Sequence, residues 1–146
     1  MMINRIYTQK SRAVQSTSTC LFKLVAIMLI VEKYRKISIS KLQVCLWGIQ
    51  SKDNLEMISI WKKEEKITNA PWIVDNDITP LIMQCICNKL LKTEIKASKV
   101  SVMFDVKADR FINDLRNIDF CQSITEALNN MGNITDSLIN NVEFDF

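Results

Sequence analysis

Carboxylates and thiols are the raw material of many catalytic and metal sites, and this chain of 146 residues carries both in pairs: Asp75/Asp77, Asp105/Asp109, Glu64/Glu65 and Cys85-x-Cys87. What it lacks decides how far those pairs go. There is no histidine, the side chain that most often moves protons near neutral pH and the commonest metal ligand. Two carboxylates without a third ligand or a base do not make a metal site. Residues two apart on a helix point in different directions, so Cys85 and Cys87 do not converge, and no second tight cysteine pair completes a tetrahedral site. Only two glycines, Gly48 and Gly132, are present, whereas a phosphate-cradling loop needs several where backbone amides approach an anion. These absences argue against a self-contained enzyme. No catalytic residue, cofactor, metal or small-molecule substrate is expected. Asp75/Asp77 read as loop and cap residues, Asp105/Asp109 as helix-start charges and Glu64/Glu65 as solvated.

The chemistry that remains is contact with other macromolecules. The net charge of +3 conceals a polarity: residues 1–66 carry twelve Lys/Arg against five Asp/Glu, and residues 67–146 carry seven against eleven. A basic half can meet nucleic acid or an acidic protein surface. Candidate DNA contacts are Lys62, Lys63 and Lys66, Lys89 and Lys92, and Lys96 and Lys99. Candidate partner contacts are apolar: Met83, Ile86, Cys87 and Leu90, together with a tail seam of Ile124, Leu128, Met131 and Leu138.

The elements that must position these residues are marked by start signals. An apolar run from Cys20 to Val31 follows basic residues Arg5, Lys10 and Arg12, which imitates a secretory signal, but Lys23 interrupts it and Glu32-Lys33-Tyr34-Arg35-Lys36 replaces a cleavage site. It is also shorter than a membrane span. A buried first helix is expected, preceded by an N-terminal arm over 1–18. Five scattered cysteines, an odd number, fit reduced core thiols and a cytoplasmic protein.

Lys36–Ile39 alternates like a brief strand. Ser40-x-x-Gln43 has capping-box spacing and predicts a helix from Lys41 to Ile49, and Asp53-x-x-Glu56 predicts another toward Lys66 with Leu55, Ile58 and Trp61 on one side. Pro71 and Trp72 mark a connection between Ile67 and Asp77. Thr79-Pro80 predicts a helix to Lys92 whose apolar positions run almost all the way round, leaving Gln84, Asn88 and Lys92 as a polar line. The alternation of Val100, Val102 and Phe104 predicts a β-hairpin within Glu94–Phe104, without an Asn-Gly turn. A helix over Lys107–Arg116 should bury Phe111, Ile112 and Leu115.

Ser123-x-x-Glu126 predicts a final cap. The acidic tail over 118–146, weakened by Gly132, either packs back on its domain or docks on a partner helix. Helix, short strand, helix, helix and hairpin is the order of a winged helix-turn-helix over 19–117, with the Asp53–Lys66 helix inserted. Two functions fit that fold: a DNA-binding regulator, poorly served because the Pro80 helix offers no arginine for guanine, and a protein-interaction adaptor, favoured by three tryptophans and seven methionines.

The stretches Leu24–Ile30, Arg35–Gln43 with Leu46-Trp47, Trp72–Leu91 and Val100–Leu115 resemble the small middle component of bacterial three-component ABC-type systems, a group that includes the small subunit of the Lamassu anti-phage complexes. The likeness covers some 90 residues in order and spacing and carries no chemical motif. It implies a non-catalytic subunit joining an SMC-like ATPase to an effector, often a nuclease, with ATP hydrolysis and DNA cleavage left to the larger partners and any DNA reached through the complex.

Overall fold

The computed structural model describes residues 20–68, 78–105, 108–118, 120–140 and 142–143. The arm over 1–18 and the connection bearing Pro71, Trp72, Asp75 and Asp77 lie outside them.

The apolar run forms helix α1 over 20–34, and every residue from Val25 to Val31 is at most 6% exposed. Seven consecutive buried side chains cover the full circumference of a helix, so α1 is wrapped by the rest of the chain. Apart from Ala26, each such side chain contributes about 1.5–3 kcal/mol on leaving water. Among the described residues no helix is long and apolar enough to cross a membrane.

Strand β1 (Lys36–Ser38) leads into α2 (Ile39–Gly48), then α3 (Lys52–Glu64) and the short strand β2 (Ile67–Thr68). Helix α4 (Ile78–Cys87) is followed by strands β3 (Leu91–Lys96) and β4 (Lys99–Phe104), and then by α5 (Ala108–Leu115), α6 (Cys121–Met131), α7 (Asp136–Asn140) and β5 (Val142–Glu143). The molecule is thus mainly helical with a three-stranded antiparallel sheet in the order β1-β4-β3. A second pairing joins β2 to β5 in parallel, Ile67 opposite Val142.

Helix starts lie earlier than the capping-box spacing places them. The cap of α2 is Ser38, whose hydroxyl accepts from the Lys41 N–H at 3.2 Å, and that of α3 is Ser51, accepting from the Asn54 N–H at 3.1 Å. Both are serines in extended conformation, Ser38 closing β1 and Ser51 following a turn, so the competing Ser40 and Asp53 fall inside the first turn. Thr79 and Pro80 are likewise inside α4; proline is tolerated there because first-turn N–H groups have no intrahelical acceptor. Ser123 sits within α6, which starts at Cys121 without a side-chain cap.

Helix ends show the cost of scarce glycine. Arg35, Glu65 and Lys89, each just past a helix, take positive φ of 66°, 59° and 60°, a region that disfavours any side chain by about 1–2 kcal/mol. At Lys89 the stop is a Schellman motif: Leu90 N–H donates to Cys85 O at 2.9 Å and Lys89 N–H to Ile86 O at 3.0 Å. Helix α4 therefore ends at Cys87 rather than Lys92, and Leu90–Lys92 turn into the sheet. The hairpin starts at Leu91 and closes through Ala97 and Ser98, both at positive φ, as a type I′ turn demands.

The tail is part of the core. Ile124, Leu128, Met131 and Leu138 are all buried, as are Trp61, Ile58 and Ile112, and one continuous cluster joins α1 to α6. Gly132 ends α6 at φ 70° instead of weakening its interior. Lys33 Nζ donates to the carbonyls of Leu128 and Gly132 at 3.0 and 2.6 Å, and Lys62 Nζ to that of Met131 at 2.9 Å. Two cations thus satisfy the open carbonyl end of α6. Tyr34 Oη accepts from the Ile134 N–H at 3.0 Å. Burial pushes the Tyr34 hydroxyl above its ordinary pKa and holds the Lys33 ammonium below its own.

Candidate functional site

Among the described residues no three His, Cys, Asp or Glu side chains gather to hold a metal ion. Glu64 closes α3 while Glu65 is its left-handed cap. Cys85 is buried and Cys87 exposed, so the thiol pair diverges. Burial pushes the Cys85 thiol up to about 11 and that of Cys45 up to about 11. Neither is a poised nucleophile. All five cysteines are free.

The apolar partner candidates separate into two groups. Helix α6 packs on α3 and α7 on α2, and Ile124, Leu128, Met131 and Leu138 are buried, which removes them from any open surface; of the two alternatives for the tail, packing back on the domain is the one observed. On α4 the picture differs. Leu81, Ile82 and Cys85 are buried, Ile86 is half-buried, and Met83 is 53% exposed. Thr79, Pro80, Met83, Gln84, Cys87 and Asn88 are all exposed, and none is charged. Leu90, half-buried, packs where the Schellman turn brings it back against the core.

Neither of the two described tryptophans, Trp47 and Trp61, marks an open surface. Trp61 is 1% exposed and stacks on the half-buried Trp47 with ring centroids 5.2 Å apart. Its indole N–H has no acceptor among the described residues, a fact nothing in the packing explains. Of the methionines, Met28 and Met131 are core, whereas Met57 and Met83 are exposed.

The lysines divide as well. Lys62 is used at the end of α6, and Lys89 forms the left-handed stop of α4. Lys63 and Lys66 lie near the end of α3, away from the hairpin in sequence. Lys92, Lys96 and Lys99 do meet, because the register sets Lys96 opposite Lys99 and Lys92 opposite Met103. β4 then brings a fourth, Lys36, from β1, where it pairs with the same Met103. Sequence reasoning missed Lys36. The signal was available in the alternation of β1, but only the strand order says which face it joins.

Two exposed apolar pairs were also missed. Ile95, 72% exposed, sits opposite Val100 near the hairpin tip. Met57 and Ile60 lie three apart on the outer side of α3, a spacing that shares one helix face. Ile95 was readable as a break in the polar stretch Lys92–Ser98, whereas Met57 and Ile60 were masked by the apolar neighbours Ile58 and Trp61.

Among the described residues, two of the exposed surfaces gather several candidate residues, the uncharged outer side of α4 and the lysine-bearing outer side of the sheet. Compared with known proteins, the chain matches no family model, and no curated protein or solved structure is significantly similar to it.

Proposed function

We propose that this chain is a non-catalytic, winged-helix-like adaptor subunit of a bacterial anti-phage complex, joining an SMC-like ATPase to an effector subunit in the cytoplasm. The observation that carries it is the outer side of α4: a helix apolar almost all round, whose exposed part centres on Met83, lacks charge and has nothing over it among the described residues. Methionine at a contact surface adapts to a partner's shape, and interface centres are depleted in charge. The winged-helix description is supported by the order β1, α2, α4, hairpin and by the strand order β1-β4-β3. The assembly partners follow from the resemblance of the sequence to small subunits of three-component systems. Five free thiols suit a reducing compartment.

A sequence-reading DNA regulator draws less support. Its recognition helix would be α4, whose outer side offers Gln84 and Asn88, and Asn88 Nδ2 already donates to the Gln84 carbonyl at 2.9 Å. No arginine stands there to read guanine.

The test is co-expression of the full chain with an SMC-like ATPase encoded beside it. Because Met83 is exposed, Met83→Asp should leave the thermal melt unchanged while the ATPase no longer co-purifies. An intact complex with that variant, or no such complex with the unaltered chain, would overturn the proposal.

A further inference from the structure

The three-stranded sheet turns one side to the core and the other to solvent. Its register arranges the outer side in rows across the strands: Lys36, Met103 and Lys92, then Ser38, Ser101 and Glu94, then Lys99 and Lys96 at the hairpin tip. Four lysines share this face with one carboxylate. Glu94 is held by Lys36 Nζ at 2.9 Å and by Lys96 Nζ at 3.3 Å, and those contacts hold its carboxyl below the usual range. Lys92 and Lys99, both exposed, have no carboxylate partner among the described residues.

This arrangement is poor for stability. Like charges directly opposed across strands are destabilising, and Lys96 and Lys99 are directly opposed. A face carrying an excess of three positive charges, in a chain whose total is +3, is unexplained by packing. A polyanion laid across it would remove the repulsion.

We propose that the outer face of the β1-β4-β3 sheet binds the phosphodiester backbone of nucleic acid, independently of base sequence, through Lys36, Lys92, Lys96 and Lys99. Strand spacing puts these ammonium groups over a patch of roughly 10 by 14 Å, with the hydroxyls of Ser38 and Ser101 between them as neutral donors. Lysine serves here as a point charge for phosphate. The forked side chains that read bases in bidentate fashion, Arg, Asn and Gln, are absent from the face, and its one acid, Glu94, is engaged by Lys36 and Lys96. At its β1 edge the face opens into a groove of about 650 Å³ whose lining adds Ser40 and Lys41, the latter neutralised by Asp136 at 2.9 Å. That groove gives a strand a path off the sheet.

An acidic protein fits less well, because protein interfaces are depleted in lysine and enriched in aromatics, and this face holds no aromatic ring. An anionic membrane fits less well because its single apolar member, Met103, is half-buried and gives nothing to insert. The inference is independent of what docks on α4.

Fluorescence anisotropy of the full chain with labelled duplexes of two unrelated sequences provides the test. Both should bind equally, with log K falling against log salt at a slope near about −3 between roughly 50 and 200 mM. Lys96→Ala/Lys99→Ala, at the exposed tip, should keep the thermal melt, weaken binding roughly tenfold at low salt and bring the slope to about −1. Lys52→Glu, which changes the charge by the same amount at the exposed start of α3, should leave binding within about twofold. No binding at low salt, equal loss with Lys52→Glu, a preference between the two duplexes, or tighter binding to phosphatidylserine vesicles or polyglutamate would each overturn the proposal.

Discussion

Helices α1 and α4 are both apolar nearly all the way round, yet they end in opposite situations. In α1 the run from Val25 to Val31 is sealed on every side by the chain's own elements, and its neighbours include the tail that could have been taken for a separate arm. In α4 the buried residues are Ile78, Leu81, Ile82 and Cys85, and the next positions round the helix meet solvent. An all-round apolar helix is therefore not in itself a sign of an external partner. Whether it is depends on how many elements the same chain can bring to it, and α4, followed directly by a turn and the hairpin, is covered by the described residues from one side only.

The sharpest way to break this comparison is to remove matched volumes from the two helices. Ile27→Ala in α1 should cost about 2–5 kcal/mol in urea unfolding, whereas Met83→Ala in α4 should stay within about 0.5 kcal/mol. Equal costs would mean that α4 is as enclosed as α1. Next in size is the link that closes the cover over α1. Tyr34→Phe removes the acceptor of the Ile134 N–H and should cost about 1–3 kcal/mol; a neutral outcome would show that the tail is held by apolar contact alone.

The smallest effect lies within α4 itself, where the two thiols report on its two sides. Iodoacetamide at mild pH should modify Cys87 and leave Cys85 until the protein unfolds, and a bound partner should slow modification of Cys87. Cys85 and Cys45, each raised to about 11 from 9.0, favour the folded state below pH 9. That contribution should fade as pH rises from about 9 toward 11, since the unfolded thiols ionise first. A melting temperature flat across that window would argue against the burial that raises them.

How much of this was legible follows from what each feature depends on. The first helix, the brief strand at Lys36, the inserted helix burying Ile58 and Trp61, and the hairpin followed from periodicity, because burial imposes 3.6 and 2 residue repeats whatever the partners are. Helix ends were not legible. The usual stop is glycine, and here Arg35, Glu65 and Lys89 adopt its conformation, which no sequence pattern announces. The seam of Ile124, Leu128 and Met131 was visible as a seam, but whether it closes on this chain or another depends on contacts about 95 to 100 residues away, such as Lys33 to Leu128 and Tyr34 to Ile134. The lysine face was half-visible: Lys92, Lys96 and Lys99 alternate on one hairpin, while Lys36 joins them only through strand order.

Those long separations also set a timetable. A ribosome adds roughly 5–20 residues per second, so α1 emerges some 5–20 s before the residues that cover it. For that interval the most water-averse stretch of the chain is bare, and it is then that a holding chaperone or a neighbouring nascent subunit has its opening.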